Sequence, residues 1–172
     1  MLNPKIEEAF NRQINAELHS SYLYLSMAAY FESENLAGMA AWMRIQAQEE
    51  LNHALKFFDF INERDGRVTL TPVEGPKIEW ESPFDAFQDA YNHECKITGL
   101  INQLVDLSIH ESDHAANAFL QWFVTEQVEE EASAKTIVDK LKLAGDNTVA
   151  LLMMDGELGQ RPPAAAPGAT AP

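Results

Sequence analysis

Glu49-Glu50-Leu51-Asn52-His53-Ala54 lies in the middle of a helical pattern that runs from about Leu36 to Asp65. The pattern stops at Gly66, a residue type suited to the position after a helix end. One face reads Met39, Met43, Gln46, Glu50, His53, Phe57 and Phe60. Steps of three and four residues mark an amphipathic helix. Glu50 and His53 therefore sit on the stripe meant for the core. A spacing of three puts both on one face, where a carboxylate and an imidazole can share one metal ion. The Glu-x-x-His string alone is common in helices, so its weight depends on what the other helices bring.

Three more long patterns and a short one surround it. The first opens at Asn3-Pro4, a cap followed by proline at the first helical position, and runs to about Glu34. Its stripe reads Phe10, Ile14, Glu17, Ser21, Tyr24, Ala28 and Phe31. The third opens at Ser82-Pro83 and carries Phe87, Ala90, Glu94, Ile97, Ile101 and Leu104. The fourth opens near Asp113, stops at Gly145, and carries Ala116, Leu120, Phe123, Gln127, Glu130, Ala134, Ile137 and Leu141. A fifth, short helix is expected from about Asp146 to Asp155. The links between helices one and two, and three and four, are short, so each pair forms an antiparallel hairpin. The link from Gly66 to Ser82 is long. Extended at ~3.3 Å per residue it can return along the whole second helix, which rises only ~1.5 Å per residue. The expectation is an all-α four-helix bundle with one long crossover between helices two and three. Residues 159–172, rich in Pro and Ala, form a low-complexity tail beyond a domain of residues 1–158, expected to be mobile or loosely packed.

Glu17, Glu50, His53, Glu94, Gln127 and Glu130 all fall on core stripes, and each long helix contributes at least one. An unpaired buried carboxylate costs several kcal/mol. None of the 12 Lys and Arg residues lies on these stripes near the acids, so a bound cation is the natural compensation. Oxygen donors with a single nitrogen suit Fe²⁺, Mn²⁺ or Zn²⁺. Glu49, Glu126, Glu129 and Glu131 neighbour the stripes, where a solvated surface acid is the plain alternative. Tyr24 reads as a core phenol bonded to an acid, Trp122 and Phe123 as packing. His19, His93, His110 and His114 read as surface or structural, and Cys95 as a small half-buried apolar residue.

The formal net charge of −15 argues against nucleic acid and anionic membranes as partners, and suits a protein that draws in cations. One cysteine excludes a disulfide framework and a Cys-rich zinc site, and makes the cytoplasm the default compartment. The first residues carry acids where a signal peptide would have its apolar run.

At Asn15-Ala16-Glu17-Leu18, Glu49 to Ala54, Glu94, and Glu126-Gln127-Val128-Glu129-Glu130-Glu131, followed by the short fifth helix, the sequence resembles the prokaryotic non-haem ferritins. The resemblance spans Leu2 to about Leu158. It implies the ferritin-like bundle and storage of iron as ferric mineral after oxidation of Fe²⁺ by O₂ or peroxide. It also implies two irons: one held by Glu17, Glu50 and His53, the other by Glu50, Glu94 and Glu130, with Glu50 bridging. Gln127 lies near the second iron and Tyr24 is a nearby phenol. Glu49, Glu126, Glu129 and Glu130 match a third iron site on the way to a cavity. The chain is expected to form a homo-oligomeric shell of two dozen subunits. Where symmetric di-iron bundles repeat Glu-x-x-His, this chain has Gln127-x-x-Glu130, so the second iron lacks nitrogen and binds more loosely. Haem-binding relatives use a methionine in the second-helix motif, where this chain has Asn52, so no haem is expected. A di-iron enzyme acting on an organic substrate, or a shell without catalysis, are the alternatives.

Overall fold

Short polar side chains cap the starts of four of the five helices among the described residues. The computed structural model describes residues 2–163. Helix α1 spans Pro4–Ser33, α2 Ala37–Glu63, α3 Pro83–His110, α4 His114–Ala144 and α5 Thr148–Leu158. Asn3 accepts from the Lys5 N–H, Ser82 from Asp85, Asp113 from Ala116 and Asn147 from Ala150. Each bond satisfies a donor that the first helical turn leaves free.

Helix α2 ends at Glu63, two residues before the expected end at Asp65, and Gly66 is not the left-handed residue. That role falls to Asp65, with φ 56°, while the Gly66 N–H reaches back to the Ile61 carbonyl at 2.9 Å. Asn35 and Ser112 do the same after α1 and α3, with φ 59° and 54°. Short polar side chains tolerate this conformation through local hydrogen bonding. Residue 66 lies close to α1: a Cβ there would stand 2.8 Å from Glu7 Oε2, the mobile end of a side chain that would have to shift. Helix α5 also runs to Leu158, past the expected end at Asp155.

The long link returns along α1, as the crossover topology demands. Asn11 Oδ1 accepts from the Thr69 N–H, Asn15 donates to the Thr71 and Pro72 carbonyls, and Ser26 donates to the Lys77 carbonyl. Successive contacts at 11, 15 and 26 carry the segment up the helix. Trp80 then buries its ring, donates to Asp89 and delivers the chain to α3.

Two apolar clusters fill the bundle. One gathers Ile6, Phe10, Ile14, Phe57, Ile61, Ile97, Leu120 and Phe123. The other gathers Met27, Phe31, Met39, Met43, Phe87, Ile137, Leu141 and Met154. The stripes predict these positions well. One exception is Ser21, which is only half-buried; its neighbour Ser20 is enclosed instead. Between the clusters the core turns polar.

Helix α5 crosses the start of α2. Asp155 Oδ1 accepts from the Met39 N–H at 2.8 Å, and a Cβ on Gly38 would stand 1.8 Å from the Asp155 carbonyl oxygen. The Gly38→Ala substitution is therefore expected to destabilise the protein by about 1–3 kcal/mol, the usual cost of overpacking. Hydrogen exchange should rise in α5 and stay unchanged in α3; equal protection of α5 in both proteins would refute the close approach. Among the described residues no helix is long and apolar enough to cross a membrane.

Candidate metal centre

The polar layer between the clusters holds Glu17 from α1, Glu50 and His53 from α2, Glu94 from α3, and Gln127 and Glu130 from α4, all buried. Antiparallel packing within each hairpin brings these mid-length positions to one level. Ligand atoms of Glu17, Glu50 and His53 all lie within 4.8 Å of one another, and so do those of His53, Glu126 and Glu130.

Each carboxylate is partly held by a neutral donor. Gln13 donates to Glu17 Oε1 at 2.7 Å. Gln46 Nε2 donates to Glu50 Oε1 at 3.1 Å and to Glu130 Oε2 at 2.6 Å. Tyr24 donates its hydroxyl to Glu94 Oε1, and Gln127 donates to Glu94 Oε2 at 3.2 Å. His53 Nδ1 stands 3.4 Å from Glu50 Oε2. One oxygen, Glu17 Oε2, is buried with no hydrogen-bond partner.

Burial raises all four core carboxyls, because a low-dielectric interior penalises the anion. Glu17 is pushed up to about 8 by burial and then by the neighbouring charge of Glu50. Glu94 reaches about 8 for the same two reasons. Burial followed by the charge of Glu130 raises Glu50, and burial followed by the charge of Glu94 raises Glu130. The metal-free layer therefore holds protons at neutral pH where a cation could stand. Clustered carboxylates, an imidazole and an orphaned oxygen are the ligand set of a divalent metal site.

The flanking residues divide. Glu126 is half-buried and within reach of His53 and Glu130; Glu129 is exposed. Glu49 is half-buried and pairs with Arg161 at 2.5 Å. Glu131 accepts from Thr98. Trp122 is more exposed than a packing residue, yet its ring sets an edge against His53 with centroids 5.4 Å apart. His93 sits half-buried with its Nε2 2.7 Å from Ser20 Oγ, a structural role. Cys95 is exposed rather than half-buried, since one residue past Glu94 turns about 100° away from the core.

The ferritin-like domain family matches residues 7–144 of this chain. The chain belongs to the ferritin family. This ferritin is 44% identical to the bacterial non-haem ferritin of Bacteroides fragilis over 94% of its own length and all of the relative's. It is 40% identical to that of Escherichia coli, over 92% and 96% of the two chains. Among solved structures, the open-pore ferritin of the archaeon Archaeoglobus fulgidus superposes with a TM-score of 0.93 at 55% identity, covering 94% of this ferritin and 100% of that chain. The all-α bundle with its long crossover and short fifth helix is thus a ferritin fold on both sequence and structure.

Three residues of this ferritin's polar layer escape the sequence reading. Gln46 stands on the α2 stripe, but nothing in the pattern assigns it two carboxylates. Gln13 is four residues before Glu17, the spacing that lets it donate along α1. Arg161 has no sequence signal, because it belongs to a segment read as tail.

Proposed function

We propose that Glu17, Glu50 and His53 bind one Fe²⁺ and that Glu50, Glu94 and Glu130 bind a second, with Glu50 shared. The observation that carries this reading is the buried carboxylate layer with its unpartnered Glu17 Oε2. As a ferritin, the chain oxidises Fe²⁺ and stores the ferric product; the layer is where that oxidation is placed. Gln127 and Tyr24 border the second ion through their bonds to Glu94. Glu49, Glu126 and Glu129, with Glu130, serve as a third site on the route inward. The reach of Glu126 to His53 and Glu130 supports it.

The chain's own contribution follows from its charges. Arriving Fe²⁺ replaces protons on carboxyls that burial holds near neutrality. Hard anionic oxygens favour the more highly charged ion, so the ligand set makes loss of an electron to O₂ or peroxide easier. Gln127-x-x-Glu130 offers no imidazole, which keeps the second position weaker and suits onward transfer. The acidic subunit, at −15, concentrates cations near the entry routes. Asn52 precedes His53, and no haem enters this reading.

A shell of two dozen copies is proposed from the resemblance; what supports association with further copies is the apolar side chains left exposed in the single chain, Leu70 and Ile78 on the crossover and Val149, Leu152 and Met153 on α5. The cytoplasm is the compartment proposed, and residues 1–158 the working domain. Residues 164–172 of the tail lie outside the described residues.

The test is aerobic addition of Fe²⁺ to metal-free protein, following ferric absorbance and then the iron retained by the purified assembly. Retention far beyond two or three ions per chain is expected. Oxidation that halts at about two per chain would sink the storage reading and favour an enzyme with an organic substrate.

A further inference from the structure

Arg161 lies three residues past the end of α5 and folds back onto one face of α2. Its Nη1 donates to Gln46 Oε1 at 2.8 Å, its Nη2 donates to Glu49 Oε2 at 2.5 Å, and its guanidinium lies 4.6 Å from the centroid of the Trp42 ring. Trp42, Gln46 and Glu49 follow one another at helical spacing, so the arm runs along a single ridge. The ion pair is largely enclosed, with side-chain exposures of 22% for Arg161 and 25% for Glu49.

Two consequences meet at this residue. A guanidinium can only donate, so the Gln46 atom facing Arg161 must be its oxygen. Arg161 therefore fixes which way the Gln46 amide points, with its nitrogen turned toward Glu50 and Glu130. The same guanidinium also covers the Glu49 carboxylate. We infer that Arg161 is the resident cation of Glu49, which a divalent metal ion must displace before it can use that carboxylate. The C-terminal arm thereby sets the affinity of the outer metal position while holding the Gln46 amide toward the inner one. Being tethered, the guanidinium competes at a high local concentration that free monovalent ions do not reach. A doubly charged ion, with its stronger pull on a carboxylate, is what can replace it.

The inference rests on the reading of Glu49 as a metal ligand, and one titration separates the two. Zn²⁺, which does not change oxidation state, is titrated calorimetrically into the metal-free, full-chain assembly at low ionic strength. The wild type is expected to show a tight class of sites and a weaker outer class. Arg161→Ala should tighten the weaker class by about tenfold or more, because a charge-assisted pair no longer has to break. Arg161→Lys, which keeps a competing cation, should remain close to wild type. Glu49→Gln should abolish the weaker class, and adding Arg161→Ala to it should gain nothing. Arg161→Gln keeps a donor for Gln46 without the charge; it carries the same expectation as alanine if the alanine variant fails to assemble. An unchanged weak class in a well-assembled Arg161→Ala or Arg161→Gln protein overturns the role of the arm. A full set of Zn²⁺ classes in Glu49→Gln overturns instead the reading of Glu49 as a ligand.

Discussion

Glu50→Ala is expected to slow oxidation of the first two Fe²⁺ per chain by about a hundredfold or more. Changes to groups that merely support a metal ligand already cost ~10–100-fold, and Glu50 is placed as a ligand of both ions. Its carboxylate is where the layer converges. It groups with Glu17 and His53, shares the Gln46 amide with Glu130, and its charge acts on Glu17 and Glu94. Stopped-flow absorbance of the ferric product measures the effect, with Glu131→Ala as the comparison. Glu131 bonds Thr98 and is outside the proposed site, so its rate should stay near wild type. If Glu50→Ala oxidised iron as fast as Glu131→Ala, the centre would have to be elsewhere in the chain.

Raising the pH should destabilise the metal-free protein, and this is the second large effect. The core carboxyls have folded values above the usual carboxylate range, with Glu17 and Glu94 at about 8. Between the unfolded value of 4.5 and that point the folded state binds more protons than the unfolded state. Stability therefore falls with rising pH. The contribution is complete below the unfolded value and is lost as pH passes through about 8. For one fully buried carboxyl it is on the order of a few kcal/mol. Melting curves from about pH 5 to about pH 9 should show the decline, and added Zn²⁺ should reverse it by supplying the missing charge. Glu17→Gln, which cannot ionise, should melt higher than wild type at the alkaline end and equally at the acid end. A Glu17→Gln protein that gained nothing at alkaline pH would show that the carboxylate is not desolvated as described.

Much of this structure is legible in the sequence because helices express burial as a period. The stripes on α3 and α4 name their core positions residue by residue: Phe87 to Leu104 and Ala116 to Leu141 are enclosed as expected. The acids on those stripes stand out because apolar neighbours surround them. The crossover could be read from length alone, since Gly66 to Ser82 is long enough to return along α2. What stayed hidden depends on where separate elements meet. Asp65 carries the left-handed turn, and residue 66 comes close to Glu7 of α1, an approach set by tertiary packing. Cys95 faces outward because a single helical step rotates it off the core side. Arg161 reaches Glu49 only through the placement of α5, which depends in turn on Gly38. The expectation that no Lys or Arg lies on the core stripes concerned the four long helices, and Arg161 comes to Glu49, beside the stripe, from beyond α5.

The division of the core into two apolar clusters has a bearing on iron turnover. Metalloproteins whose ligands are also their main cross-links fall apart when the ion leaves. Here Phe10, Phe57 and Phe123 clamp one end of the bundle and Phe31, Met43 and Phe87 the other, and neither grip includes a proposed metal ligand. The middle span resembles the open bay between two piers: cargo can be loaded and taken away while both abutments stay fixed. A chain built this way can pass through many cycles of filling and emptying without refolding between them.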